Sequence, residues 1–304
     1  MPSSLLARTL EVLPKRLPVL GQAPFVDSKP LRSTELGAFR LGSKLERKIV
    51  RKVGAAIGDY NLIAEGDRIM VCVSGGKDSY ALLDALLLLR RKSPVAFALI
   101  AVNVDQGWPG YETATIAHHL ESRNVAHRMV AAHEIASIVE RVLRPAETGT
   151  TPCSLCSRLR RGLLYNLADE LGATKIALGH HLDDLAETLL LNLFFSGALR
   201  SMPPRLTSDD GRHVVIRPLA YIEERDLIAY ATERRYPCVR CSCPTCGLPD
   251  QERQVIKRLL SSLEEKHRGL KTQMLAAMKN VKARHLLDRD LLQALAPTSD
   301  RAAG

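Results

Sequence analysis

The apolar run Ile69-Met70-Val71-Cys72-Val73 ends at Ser74-Gly75-Gly76-Lys77-Asp78-Ser79, and an apolar-periodic segment follows at once from Tyr80 to Leu89. A strand, a glycine turn and a helix in immediate succession restrict the chain to folds in which a strand's carboxyl end feeds a helix N-terminus. Two glycines let backbone N–H groups turn inward around an anion, Lys77 supplies a fixed positive charge, and the next helix offers its unpaired amide donors. The Walker A pattern needs four residues between its glycines and a closing Gly-Lys-Ser/Thr, and this loop has neither. An ordinary turn has no use for a lysine beside an aspartate. ATP with a magnesium ion uses both, a cation for phosphate and a carboxylate for metal. Ser74, Gly75, Gly76, Lys77, Asp78 and Ser79 are thus candidate ATP contacts, with Lys77 and Asp78 in catalytic roles and Asp78 a candidate Mg²⁺ ligand.

The pattern Ser-Gly-Gly-x-Asp-Ser resembles the loop of the PP-loop ATP pyrophosphatases, which transfer AMP to a carbonyl oxygen with loss of pyrophosphate. The rest of the chain repeats the strand-then-helix rhythm, with strands expected at 68–74, 96–104, 127–130, 175–179 and 214–217. Alternation of this kind implies an α/β fold, a doubly wound parallel sheet with ligands at the carboxyl ends of its strands, where Ser74, Asp105 and Gly179 fall. The resemblance makes this sheet of the adenine nucleotide alpha hydrolase-like type. The expected organisation is a mobile, proline-punctuated extension over 1–35, a basic helical segment over 36–66, and a catalytic domain over 67–235. A cysteine-rich segment with C-terminal helices over 236–290 and a tail over 291–304 complete it.

With 304 residues, 46% hydrophobic and 25% charged, the chain can bury a full core. Its longest apolar stretch, Ala81 to Leu89, is interrupted by Asp84 and falls short of the roughly 20 residues a bilayer requires. No signal-peptide layout is visible, so a cytoplasmic enzyme without a membrane partner is expected. A net charge of +10 with pI near 9.4 points to an anionic partner larger than ATP. Lys44, Arg47, Lys48, Arg51 and Lys52 recur at spacings of three and four, one basic stripe softened only by Glu46 and Asp59. A solvated helix face is the plain alternative to a nucleic-acid contact there. Arg158, Arg160 and Arg161 form a second basic group.

A second constellation runs Gly179-His180-His181-Leu182-Asp183-Asp184-Leu185-Ala186-Glu187-Thr188, again at a strand end opening a helix. Acids there favour the helix dipole in any case. Beside a phosphate loop they gain a second use, since carboxylates face polyphosphate through Mg²⁺, while Gly179 allows close backbone approach. Gly179 and His180 join the ATP contacts; Asp183 and Asp184 join the catalytic candidates, Asp183 also for Mg²⁺.

Seven cysteines supply the third: Cys72 in the first strand, Cys153 with Cys156, and Cys238, Cys241, Cys243 and Cys246. The odd total in a chain without a secretion signal argues against a disulfide scaffold. Gaps of two residues within the pairs let two thiolates reach one metal centre. A closed tetrahedral zinc site and a [4Fe–4S] cluster held by three thiolates both satisfy this spacing, and a redox pair is a third reading.

These motifs, with Glu46-Arg47-Lys48-Ile49-Val50, Cys153-Ser154-Leu155-Cys156-Ser157-Arg158-Leu159-Arg160-Arg161-Gly162 and Ile216-Arg217-Pro218-Leu219, resemble the tRNA 2-thiocytidine synthetase family over residues 40–288. The resemblance implies a tRNA sulfurtransferase that adenylates O2 of cytidine 32 in the anticodon loop and replaces that oxygen with sulfur. It implies ATP, Mg²⁺ and a [4Fe–4S] cluster on Cys153, Cys156 and Cys246, with Cys243 as the alternative third ligand. Also implied are tRNA contacts through Lys44, Arg47, Lys48, Arg51, Lys52, Arg158, Arg160 and Arg161, a sulfur donor such as a cysteine desulfurase, and a homodimer. The chain departs from the family pattern in its additional Cys238 and Cys241. Two rival functions are another PP-loop tRNA-modifying ligase, which leaves the paired cysteines unexplained, and a zinc-containing nucleic-acid-binding protein with a vestigial nucleotide loop.

Overall fold

The computed structural model describes residues 19–20, 42–143, 152–239, 243 and 251–294. Apart from 19–20, the extension expected over 1–35 lies outside the described residues, as do Cys241, Cys246 and the side chain of Cys153.

The chain first forms strand β1 (Val19–Leu20), helix α1 (Lys44–Asp59), β2 (Asp67–Cys72), α2 (Lys77–Arg90), β3 (Phe97–Asp105), α3 (Thr113–Ser122), β4 (His127–Ala131) and α4 (Glu134–Leu143). It continues with α5 (Pro152–Leu171), β5 (Lys175–Ala177), α6 (Leu182–Phe195), β6 (Arg205–Thr207), β7 (Val214–Ile216), α7 (Glu224–Arg234), α8 (Glu252–Lys266), α9 (Leu270–Lys279) and α10 (Arg289–Ala294). The strands form one sheet in the order β1-β4-β3-β2-β5-β7-β6. The five inner strands run parallel, as the alternating pattern requires, and all five lie within two residues of their expected bounds. The edges β1 and β6 are antiparallel additions that sequence patterning did not mark. β6 is exposed along its whole length and so carries no buried apolar alternation to read.

β2 is central and buried on both faces, which is why its sequence is a continuous apolar run. Its odd-numbered residues Ile69 and Val71 join the core beneath α1, α2, α3 and α7, whereas Met70 joins the core beneath α4 and α5. Helix α2 is covered nearly all round, from Ser79 to Leu86, and therefore lacks an amphipathic stripe. Asp84 in its middle is 1% exposed and is met by Arg123, Arg234 and the Tyr236 hydroxyl. α8 and α9 seat on α6 through Ile256, Leu260, Leu270 and Met274 around Ala186. Among the described residues no helix is long and apolar enough to cross a membrane.

The order of the strands creates the site. From β2 the chain steps outward through β3 to β4, then returns to place β5 on the opposite side of β2. The loops leaving β2 and β5 diverge in opposite directions and open a crevice at their carboxyl ends.

Candidate active site

The loop after β2 turns at Gly75, whose φ of +77° lies in the left-handed region. A Cβ at Gly75 would sit 2.7 Å from Ile116 Cδ1 and 3.1 Å from Val239 Cβ. The loop is pinned from both sides. Ser79 Oγ donates to Gly76 O at 2.8 Å and accepts from Ser74 N at 3.2 Å. Asn103 Nδ2 donates to Val73 O at 2.8 Å and to the Tyr111 hydroxyl at 2.7 Å, and that hydroxyl donates to Ser74 O at 3.0 Å. Helix α2 begins at Lys77 with Gly76 as its cap, so its first amides face the crevice as expected. Gly179 faces this loop across the crevice; a Cβ there would meet Asp78 C and Ser79 N at 3.2 Å each.

Lys77 Nζ lies 3.1 Å from Asp78 Oδ2 and 3.1 Å from Glu224 Oε1. Burial would lower the Lys77 pKa, but Asp78 and Glu224 outweigh it and hold the ammonium charged. Burial pushes the Asp78 carboxyl up, against the opposing pull of His181 and Lys77. Asp78 Oδ1 is buried without a hydrogen-bond partner. A carboxylate oxygen in that position fits a divalent cation, which would satisfy it.

Helix α6 starts at the opposite lip. Asp184 Oδ2 accepts the His181 backbone N–H at 3.0 Å, so this residue caps the helix, and its Oδ1 takes Arg253 Nη2 at 2.6 Å. Asp183 Oδ2 accepts Glu224 N at 2.7 Å, while its Oδ1 is ion-paired with Lys271. Of the two expected Mg²⁺ ligands, Asp78 keeps an oxygen free of hydrogen bonds, 3.9 Å from His181 Nε2, and Asp183 has both engaged. His180 Nδ1 accepts from Arg217 Nε at 3.3 Å. Burial, together with Arg217, Arg253 and Arg160, takes the His180 pKa down to about 4, so the ring is neutral near pH 7.

Sequence reading missed Glu224, Arg253, Lys257 and Lys271. They lie far from the loop in sequence, and no spacing signal ties isolated charges to it. Glu224 is shared between Lys77 and Lys257, whose Nζ lies 2.8 Å from Oε2. Burial would raise the Glu224 pKa, yet Lys257 and Lys77 reverse this and hold its carboxyl down to about 2.

Cys156, on the first turns of α5, donates to Gln106 Oε1 at 3.0 Å, just past the carboxyl end of β3. Cys243 packs against the same apolar core. Cys156 is therefore beside the strand neighbouring β2, at the end that carries the nucleotide loop. Cys153 stands one turn before it on α5. Soft thiolates gathered there suit zinc or an iron–sulfur cluster, although the described residues alone include no group of three ligands. Cys72 is packed within the strand, and burial pushes its thiol up to about 12.

The two basic groups separate. Lys44, Arg47 and Arg51 are exposed on α1, Lys52 is half-buried, and Lys48 pairs with Asp226 at 2.8 Å. Glu46 does not soften the stripe: it is buried, near Tyr230 and Arg234. Arg158, Arg160 and Arg161 are exposed on α5, on the opposite face of the sheet from α1. The charge of Arg160 acts on His180 and that of Arg161 on Arg217.

A PP-loop domain model matches residues 45–240. The tRNA-cytidine(32) 2-sulfurtransferase of Anaeromyxobacter sp. (strain Fw109-5) is 52% identical over 257 residues, covering 84% of this chain and 83% of its own. That of Variovorax paradoxus (strain S110) is 47% identical, covering 88% and 85%. The chain belongs to the PP-loop tRNA-cytidine(32) 2-sulfurtransferase family. The U34-tRNA thiolase NcsA from Methanococcus maripaludis, solved with its [4Fe-4S] cluster, shares the fold with a TM-score of 0.61 at 23% identity, covering 79% of this chain and 80% of its own.

Proposed function

We propose that this protein is an ATP-dependent tRNA sulfurtransferase that converts cytidine 32 to 2-thiocytidine. The observation that carries the reading is the convergence of two unlike sites on one edge of the sheet: the phosphate loop after β2, and Cys156 beside the end of β3. The family membership and its named relatives support it.

Oxygen on C2 of cytosine is a poor leaving group, so displacement by sulfide alone stalls. Attack of that oxygen on the α-phosphorus of ATP forms an O–P bond, releases pyrophosphate and leaves AMP on the base. Lys77 and the first amides of α2 stabilise the charge that gathers on the departing phosphates. Asp78, whose Oδ1 accepts no hydrogen bond, would hold Mg²⁺ against them, and Asp183 would join once Lys271 moves aside. Cys153, Cys156 and either Cys246 or Cys243 would hold the [4Fe–4S] cluster, which when bound supplies an iron able to carry sulfur. Sulfur then forms the bond to C2 and AMP leaves with the former oxygen. The target base has to leave its stack to reach the crevice. Arg158, Arg160 and Arg161, exposed on α5, would hold the RNA backbone, while Lys44, Arg47, Arg51 and Lys52 would serve only an RNA that also reaches the far face.

Nucleoside analysis of tRNA from cells with and without the chain tests the activity. 2-Thiocytidine should vanish on deletion and return with the wild-type gene. Lys77→Ala should restore none while keeping iron and acid-labile sulfide; Cys156→Ala should lose both the iron and the product. A chain purified without air that carries stoichiometric zinc and no iron would overturn the cluster assignment, and unchanged 2-thiocytidine on deletion would overturn the activity.

A further inference from the structure

Lys257 lies on α8, beyond the matched PP-loop region, yet its ammonium stands in the crevice. Glu224 Oε2 is 2.8 Å from Lys257 Nζ and its Oε1 is 3.1 Å from Lys77 Nζ. Because one carboxylate spans both, the two ammonium groups are on the order of 8 Å apart at most, a gap that a di- or triphosphate chain bridges with oxygens on successive phosphates. The three side chains are 20–45% exposed, so a solute reaches them.

Docking of α8 does not depend on this contact. Ile256 and Leu260 are buried against α6, and Arg253 already ties the helix to Asp184 at 2.6 Å and Glu187 at 2.9 Å. Lys77 Nζ is held by both Asp78 and Glu224, so Glu224 competes with an incoming phosphate for this ammonium. Any anion that displaces Glu224 Oε1 from Lys77 arrives beside Lys257, whose own partner is the same carboxylate.

We propose that Lys257 is a second polyphosphate-binding cation of the nucleotide pocket, and that Glu224 occupies the phosphate position between Lys77 and Lys257 until ATP displaces it. The proposal rests on the nucleotide-binding reading above and adds to it a residue from the C-terminal helices. It commits the pocket to the β- and γ-phosphates, because the two lysines are bridged at the loop rather than at any base-binding surface.

Isothermal titration of the full chain with ATP, inorganic pyrophosphate and AMP tests it without requiring the cluster. Lys257→Ala should weaken ATP and pyrophosphate by about tenfold and AMP by less than about twofold, and Lys257→Arg should recover most of the loss. Glu224→Gln retains the side-chain volume and removes the competing charge, so ATP should bind about threefold or more tightly. ATP binding by Lys257→Ala within about twofold of wild type, or an equal fall for ATP and AMP, overturns the phosphate role. Unchanged or weaker ATP binding by Glu224→Gln overturns the displacement, whether or not Lys257→Ala folds. A wild-type chain that binds neither ATP nor AMP refutes the underlying nucleotide reading instead.

Discussion

Replacing Gly179 by alanine adds one methyl group at the point where the two lips of the crevice touch. The new Cβ would meet Asp78 C and Ser79 N at 3.2 Å and Asp78 O at 3.3 Å. Contacts this close are tighter than ordinary van der Waals spacing, so the neighbours would have to give by a few tenths of an ångström. All three neighbours are backbone at the start of α2, which Ser79 and Asn103 hold in place, so no side chain can swing away. Gly179 is outside the left-handed region, and the whole effect is therefore steric. Overpacking of this kind costs about 1–3 kcal/mol, and each kcal/mol lowers Tm by about 2–4 °C in a domain of 150–250 residues. The displaced backbone includes amides that would cradle phosphate, so ATP affinity should fall by about tenfold, equivalent to about 1.4 kcal/mol. Differential scanning fluorimetry and titration with ATP read the two effects. Gly58→Ala, where nothing lies within 4 Å, is the control and should be neutral or slightly stabilising. If Gly179→Ala matches wild type in both assays, the lips do not meet as described and the crevice geometry is wrong.

Asp84→Ala should destabilise the fold by about 3–5 kcal/mol, because it removes the buried carboxylate that Arg123, Arg234 and the Tyr236 hydroxyl share. A urea midpoint that barely moves would show that solvent already screens this cluster. The depressed pKa of His180 gives a pH signature: the unfolded ring takes up a proton near 6.5, the folded ring only near 4. Its contribution is therefore complete above about pH 6.5 and is lost progressively as pH falls toward 4, since the unfolded state binds the extra proton in that window. Denaturant titrations of wild type and His180→Gln across that range check the sign; equal slopes would mean that the His180 pKa is not depressed.

Helix–strand order was legible in the chain because each inner strand is a short apolar run closed by a turn, as at Val73-Ser74-Gly75 and Ala177-Leu178-Gly179. The two glycine loops were legible too, since Gly75, Lys77, Gly179 and Asp183 sit within contiguous motifs. The basic stripe was read less well: Glu46 turns inward to Tyr230 and Arg234, and Lys48 is neutralised by Asp226, partners well over a hundred residues away. The carboxylates after Gly179 also divide only in three dimensions, with Asp184 capping α6 and Asp183 receiving the first amide of α7.

By itself the sequence determined that a parallel sheet would present an anion-binding loop, a second glycine lip and paired cysteines, because backbone conformation and apolar period are local properties. Tertiary structure decided which charges meet. Bringing β5 back to the other side of β2 opened the crevice between Asp78 and Gly179, and seating α8 on α6 carried Lys257 to the same Glu224 that holds Lys77. Long-range ion pairing depends on distances set by core packing, and no periodicity along the chain encodes it.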